Sequence, residues 1–314
     1  NIEEGFEMKY RIESKDYFIK FENEKVLGMI PADHLKRKLE IAGYEFSEDA
    51  DNVFYNDMFY LDSYVLAKGA ISASDALDEI HTGLQFHDAV NAVRIEINKS
   101  LVNEGVRLVS IEDTYIDVNV RIGRGTIIYP NTYIMGECEI GRECILGPDS
   151  IVENCSIGDN CEVIKSVARG SELGNECKIG PFSHIRPDNV IGNRVKIGAY
   201  AEVKKSEIKD KTVIPHLAYV GDSDIGRNCN ISCGVITANY DGKVKSRTIV
   251  GDNAFIGCNS TLISPVVIEK DTYIAAGSTI TDDVEEGSLS IARSRQTNKS
   301  GWVEKCNRKR IEKP

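Results

Sequence analysis

The sequence predicts a mainly β fold: a parallel β-helix of hexapeptide repeats, preceded by a small α/β segment and one connecting helix. The first observation is an aliphatic residue that returns every six positions. It runs through Ile116, Ile122, Ile128, Ile134, Ile140 and Leu146, then Val167, Leu173, Ile179, Ile185, Ile191, Ile197 and Val203, then Val250, Ile256, Leu262, Ile268, Ile274 and Ile280. A period of six suits neither a 3.6-residue helix nor a two-residue strand alternation, but it suits three short rungs closing one triangular coil. The second is glycine just after many lattice residues, as at Gly123, Gly141, Gly158 and Gly257, where a corner needs permissive backbone. The third is a small residue two positions before the lattice residue, as at Thr126, Thr132, Ser150, Ser183, Ala201 and Ser278.

Cys138, Cys144, Cys155, Cys161, Cys177 and Cys229 fall in that same small-residue slot, so six of the nine cysteines read as core fillers. No C-x-x-C pair or histidine cluster offers tetrahedral zinc ligation. Cys233 and Cys258 come two positions after a lattice residue and should point outward.

Residues 1–84 lack the hexapeptide period and read as a small α/β segment of unreadable role. Tyr10–Glu13 and Tyr17–Glu22 resemble a hairpin, Pro31–Ala42 a helix with proline at its start, and Ser72–Ile80 a second, capped helix. Asn1 at the first position leaves two readings open, a natural start at Met8 and a fragment of a longer chain. Residues 85–105 carry Phe86, Val90, Val93, Ile97 and Leu101 at helical spacing, with Arg94, Glu96 and Lys99 off the stripe. They read as an amphipathic connector ending near Gly105. The β-helix spans 106–284, with register slips near Leu146, Val163, Val203 and Val220, and 285–314 is a tail.

Between Ile231 and Val250 the segment ITANYDGKVKSRT replaces regular rungs. Its Asn239, Asp241 and Gly242 are turn formers, so a loop should project from the prism. A formal charge of −11 argues against nucleic acid as a partner. No run approaches the roughly 20 apolar residues of a spanning helix, and the amino end lacks a signal-peptide layout, so the expected location is the cytoplasm.

The lattice also says which side chains stack. Arg186 and Lys204 lie one coil apart and should leave one wall about 4.8 Å from each other along the axis. Two such cations suit a phosphate, although two solvated charges would look the same. His216 and Cys233 also occupy equivalent positions on successive coils, placing an imidazole beside a backbone amide that could face a reacting oxygen.

GPFSHIRP from Gly180, AEVKKS from Ala201, HLAYVGD from His216, NCNISCGVITANYDGKVKSRT from Asn228, GDNAFIGCNS from Gly251, and YIAAGSTIT followed by SLSIARSRQ resemble one known family. It is the acetyltransferase half of the bacterial bifunctional glucosamine-1-phosphate N-acetyltransferase and N-acetylglucosamine-1-phosphate uridyltransferase. The resemblance covers roughly residues 86–305. It implies a left-handed parallel β-helix, a homotrimer, acetyl-CoA as co-substrate and glucosamine-1-phosphate as acceptor, with no metal needed for acetyl transfer. It further implies His216 as general base, Glu202 as the residue orienting the imidazole, and the Cys233 amide as oxyanion donor. Arg186, Lys204, Tyr219, Asn230 and Lys245 would hold the sugar phosphate, and Asn239, Tyr240, Cys258, Ala276 and Arg293 the acetyl-CoA. Cys233 and Cys258 stand where some relatives carry alanine or serine.

One departure bears on the other half of the activity. The family's glycine-rich L-x-x-G-x-G-T-x-M loop does not occur here, and 84 residues are too few for a nucleotide-binding domain, so uridyltransferase activity is expected to be absent. Two further readings stay open on the residues: acetylation of another amino sugar or sugar nucleotide, and a non-catalytic oligomerisation scaffold. Because several coils separate His216 from Arg293, the loop from Asn239 to Arg247 and the tail are expected to reach a neighbouring copy.

Overall fold

The computed structural model describes residues 8–13, 44–46, 52–55, 58–61, 77–79 and 83–305, with side-chain environments from residue 91 to 305. From Arg107 onward the chain winds into a parallel β-solenoid with three flat walls, matching the left-handed β-helix of hexapeptide repeats. Wall 1 stacks ten strands from Thr114–Ile116 to Thr279–Ile280. Wall 2 stacks nine from Arg121–Ile122 to Val266–Ile268, and wall 3 stacks eleven from Arg107–Leu108 to Leu289–Ser290.

The core is the aliphatic lattice. Ile116, Ile128, Ile134, Leu146, Ile179, Ile185, Ile197, Ile256, Ile268 and Ile274 are buried along the axis. Each such side chain contributes roughly 1.5–3 kcal/mol relative to leaving it in water. One lattice assignment needs correction. Val167 faces outward, half-buried, and Ala168 takes the core slot, because Ile151 pairs with Val167 and Val152 with Ala168. This coil is short, and a chain counted in sixes overshoots it. The first shortened step likewise falls between the buried Val152 and Ile157, beyond Leu146.

The six expected core cysteines are buried, Cys233 is half-buried and Cys258 is exposed. The buried thiols do more than fill space. Thr126 Oγ1 donates to the Gly141 carbonyl at 2.8 Å and accepts the Cys144 N–H at 3.0 Å. Cys144 Sγ repeats the pattern one coil on, toward Gly158 O at 3.1 Å and from Cys161 N–H at 3.4 Å. Cys161 does so again, toward Gly174 O at 3.0 Å and from Cys177 N–H at 3.4 Å. Thiols thus continue a hydroxyl ladder that satisfies backbone groups which burial would otherwise orphan.

Burial pushes the Cys155 thiol up to about 11. Iodoacetamide at neutral pH is therefore expected to label Cys233 and Cys258 well before any of the six core cysteines, read by peptide mass spectrometry. Because the fold favours the neutral Cys155, the stability it contributes is fully present below its ordinary value of 9.0 and is lost as pH rises toward about 11. A melting temperature that holds constant across that window would contradict the assignment.

In front of the solenoid, helix α1 (Gly83–Asn103) ends at Gly105, whose φ of 97° suits a residue without Cβ. Val93 and Leu101 are buried and Ile97 packs on the core as expected. Arg94, expected off the stripe, is buried instead, its guanidinium 4.6 Å from the centre of the Tyr115 ring. Asn98 docks the helix on the first coil, donating to Ile111 O at 2.7 Å and Thr114 O at 2.9 Å.

Within the amino-terminal segment, Met8–Glu13 lies between Tyr44–Phe46 and Asn52–Tyr55, parallel to both. The other arm of the expected hairpin, Tyr17–Glu22, and the Pro31–Ala42 helix lie outside the described residues. The expected Ser72–Ile80 helix is corrected where it is described. Leu77–Glu79 is a strand, antiparallel to Met58–Leu61, since pairing overrides a weak helical propensity. Among the described residues no helix is long and apolar enough to cross a membrane.

Candidate functional site

Most of the sequence-predicted residues gather at the corner between walls 3 and 1 and on the wall beside it. Val213 pairs with Asn230 before that corner and Tyr219 with Ile236 after it, which sets His216 opposite Cys233. The Gly234 N–H reaches Leu217 O at 3.0 Å. By the same counting Asn230 pairs with Phe255 and Ile236 with Thr261, setting Cys233 opposite Cys258. Phe255 pairs with Tyr273 and Thr261 with Thr279, setting Cys258 opposite Ala276. The Arg293 side chain closes the series, its Cδ 3.7 Å from where a Cβ on Gly277 would stand. His216, Cys233, Cys258, Ala276 and Arg293 therefore form one column along one edge, about 19 Å long at roughly 4.8 Å per coil.

Along this edge His216, Cys258, Ala276 and Arg293 are exposed and Cys233 is half-buried. The Cys233 N–H donates to no partner among the described residues, although the flanking Ser232 and Gly234 amides are both bonded. The His216 imidazole likewise has no hydrogen-bond partner among them. An unpaired amide one coil from an unpaired imidazole is the arrangement that a base and an oxyanion donor require.

On wall 1 the register His184–Glu202–Tyr219 continues to Arg186 beside Lys204 and Lys204 beside Gly221. Arg186 Nη1 donates to Glu202 Oε1 at 2.9 Å. Glu202 is thus paired with Arg186, and it makes no bond to His216. Lys204 Nζ stands 3.9 Å from Asp222 Oδ2. Both stacked cations accordingly face a carboxylate of their own chain, and the Arg186 fork keeps donors to spare. The Tyr219 ring folds back over Gly221. Asn230 lies on wall 3, across the corner, with its Nδ2 2.7 Å from Ser232 Oγ.

The loop that interrupts the lattice is a short hairpin arm. Tyr240 bridges to Lys245, and Asp241 accepts the Lys243 and Val244 N–H groups at 2.7 Å each, which holds its carboxyl below the usual range. The arm carries Lys245 to Lys204, and the Lys204 ammonium beside it holds the Lys245 pKa below its ordinary value. Two ammoniums at such range favour an anion between them. Tyr240 is exposed, with its hydroxyl on Gly242 O at 2.7 Å. Asn239 is buried and donates to Asp222, so its side chain faces the cation cluster of its own chain.

Sequence reasoning missed Asp222 and Arg247. Arg247 pins the arm's far end through Asp224, Ser223 O at 3.0 Å and Lys205 O at 3.2 Å. The signal was present in the spacing, because Lys205, Asp222 and Asn239 follow one another at one-coil intervals. A cleft of about 730 Å³ opens elsewhere, along Asn119, Glu137, Glu139, Ser156, Glu172 and Val190. It touches none of the predicted residues. The edge itself is open in a single chain.

The bacterial transferase hexapeptide (six repeats) family model matches residues 119–154, 170–205 and 247–282, all within the solenoid. The chain is similar in sequence to the bifunctional protein GlmU of several bacteria. Against that protein of Caldanaerobacter subterraneus subsp. tengcongensis it is 49% identical over 234 residues, 74% of this chain and 51% of the other. Against that of Acetivibrio thermocellus it is 49% identical over 247 residues, 78% of this chain and 54% of the other. The chain spans about half the length of the curated relatives it matches. Among solved structures, the UDP-N-acetylglucosamine acyltransferase from Campylobacter jejuni aligns with 56% of this chain and 69% of its own at 16% identity, with a TM-score of 0.37.

Proposed function

We propose that the edge from His216 to Arg293 transfers acetyl from acetyl-CoA to the amine of glucosamine-1-phosphate. The product, N-acetylglucosamine-1-phosphate, would feed synthesis of UDP-N-acetylglucosamine and cell-wall precursors in the cytoplasm. The observation that carries this reading is the single column of His216, Cys233, Cys258, Ala276 and Arg293, with Arg186, Lys204 and Lys245 clustered on the adjoining wall and arm. Identity of 49% to a bifunctional GlmU supports it.

In this reading the three cations take the phosphate and fix the sugar with its amine toward His216. The imidazole removes a proton as the amine attacks the thioester carbon, and the Cys233 N–H receives the oxygen that becomes negative. Collapse of the tetrahedral adduct expels the CoA sulfur, which takes up a proton. Cys258, Ala276 and Arg293 line the path of the cofactor, with Asn239 and Tyr240 at its flank. Glu202 would orient the His216 imidazole through Oε2, since Arg186 takes only its Oε1. A homotrimer is the proposed assembly, since flat walls favour closed symmetric association. Light scattering should give about three times 34.8 kDa.

Purified protein is expected to release CoA with glucosamine-1-phosphate and acetyl-CoA, followed by thiol titration. It is expected to make no UDP-sugar from UTP and N-acetylglucosamine-1-phosphate with magnesium. Thiol release with none of a panel of amino-sugar phosphates would overturn the acetyl-transfer reading, and pyrophosphate in the second reaction would overturn the other.

A further inference from the structure

Both feet of the hairpin arm stand on one residue. The Asp222 carboxylate accepts from Asn239 Nδ2 where the arm leaves the solenoid, and the Asp222 carbonyl accepts the Thr248 N–H at 3.2 Å where it returns. The Asp222 N–H in turn donates to Lys204 O at 2.9 Å, on the coil below. Its Oδ2 serves Asn239 and also faces Lys204 Nζ at 3.9 Å. The Lys204 and Asp222 side chains are only 12% and 13% exposed, against a third or more for the ion pairs elsewhere on the described surface. The residue adopts a φ of 48°, a left-handed conformation that Asp and Asn tolerate.

We infer that Asp222 is a positioning residue for the anionic end of the substrate: it ties the base of the arm to Lys204 and so fixes the spacing of Lys204 and Lys245. This rests on the proposed function for the identity of the anion, although the tie itself does not. The argument is geometric. Lys245 rides an exposed arm and Lys204 a rigid wall, and the shortest link between them runs Lys204, Asp222, Asn239, arm. Without the carboxylate, two like charges would drive the arm outward, and the anion would have to assemble its own clamp.

Charge alone and positioning predict opposite signs. If Asp222 merely neutralised the cluster, Asp222→Asn would remove a negative charge from beside two lysines and tighten anion binding. As a positioning residue, its replacement loosens Lys204 and the arm, and binding weakens. Calorimetry with glucosamine-1-phosphate and with inorganic phosphate is expected to show a roughly tenfold weaker Kd for Asp222→Asn. Trypsin cleavage after Lys243, Lys245 or Arg247 should be faster than in the wild-type chain, with the melting temperature of the solenoid little changed. Tighter or unchanged anion binding, or an arm cut at the wild-type rate, overturns the inference. If Asp222→Asn does not fold, Asn239→Ala removes the other half of the tie and decides by the same two measurements. A wild-type chain that binds neither ligand counts against the proposed function and this role together. Wild-type binding that survives in Asp222→Asn counts against this role alone.

Discussion

Replacing His216 by Ala is expected to lower turnover by roughly a hundredfold or more, the usual scale for a general base. The imidazole is exposed and carries no structural bond among the described residues, so the fold should be indifferent to its loss. The effect should appear in kcat and leave the Michaelis constant for the sugar phosphate little changed. Arg186→Ala is expected to do the reverse, raising that Michaelis constant with kcat nearly intact, because the phosphate does not react. Steady-state kinetics on the two variants separates the roles. Near-normal turnover of His216→Ala at neutral pH would remove the base from the mechanism.

Gly198→Ala is expected to damage both stability and turnover. A Cβ built on Gly198 overlaps the carbonyl oxygen of Pro215 on the next coil, a main-chain atom that cannot swing aside. Overpacking of this kind costs about 1–3 kcal/mol, and here the strain falls on the residue next to His216. The melting temperature should drop by several degrees and kcat should fall with it. Equal melting temperatures for wild type and Gly198→Ala would mean that the coils are spaced more loosely than described.

The solenoid was legible because burial repeats along the chain at the period of its rungs, three to a coil, and each buried isoleucine announces its own neighbours. The count failed where a coil lost a residue, so Val167 took a core slot that belongs to Ala168. The helical stripe of α1 likewise left Arg94 outside, although it is buried against the Tyr115 ring. For the candidate site, spacing identified the stacked pairs His216 with Cys233 and Arg186 with Lys204, because stacking depends on backbone register alone. It could not say which acceptor a long side chain takes, and so gave no sign that Glu202 pairs with Arg186. Asp222 escaped because its partners are brought in by an arm that leaves the lattice. Arg293 stands on the same edge as His216, at the far end of one column.

The stacking of coils has a mechanical consequence. Each strand bonds only to the strand above and the strand below it, with steps of 16 to 18 residues, apart from 20 at the first coil and 25 where the arm is inserted. A chain pulled by its two ends would surrender one coil at a time from the termini inward. Each rupture would release roughly 55–60 Å of thread, and the coil that carries the arm would give a longer step. The coils of His216 and Cys233 are interior and would be among the last to unravel under load, whereas the coil of Arg293 would be among the first.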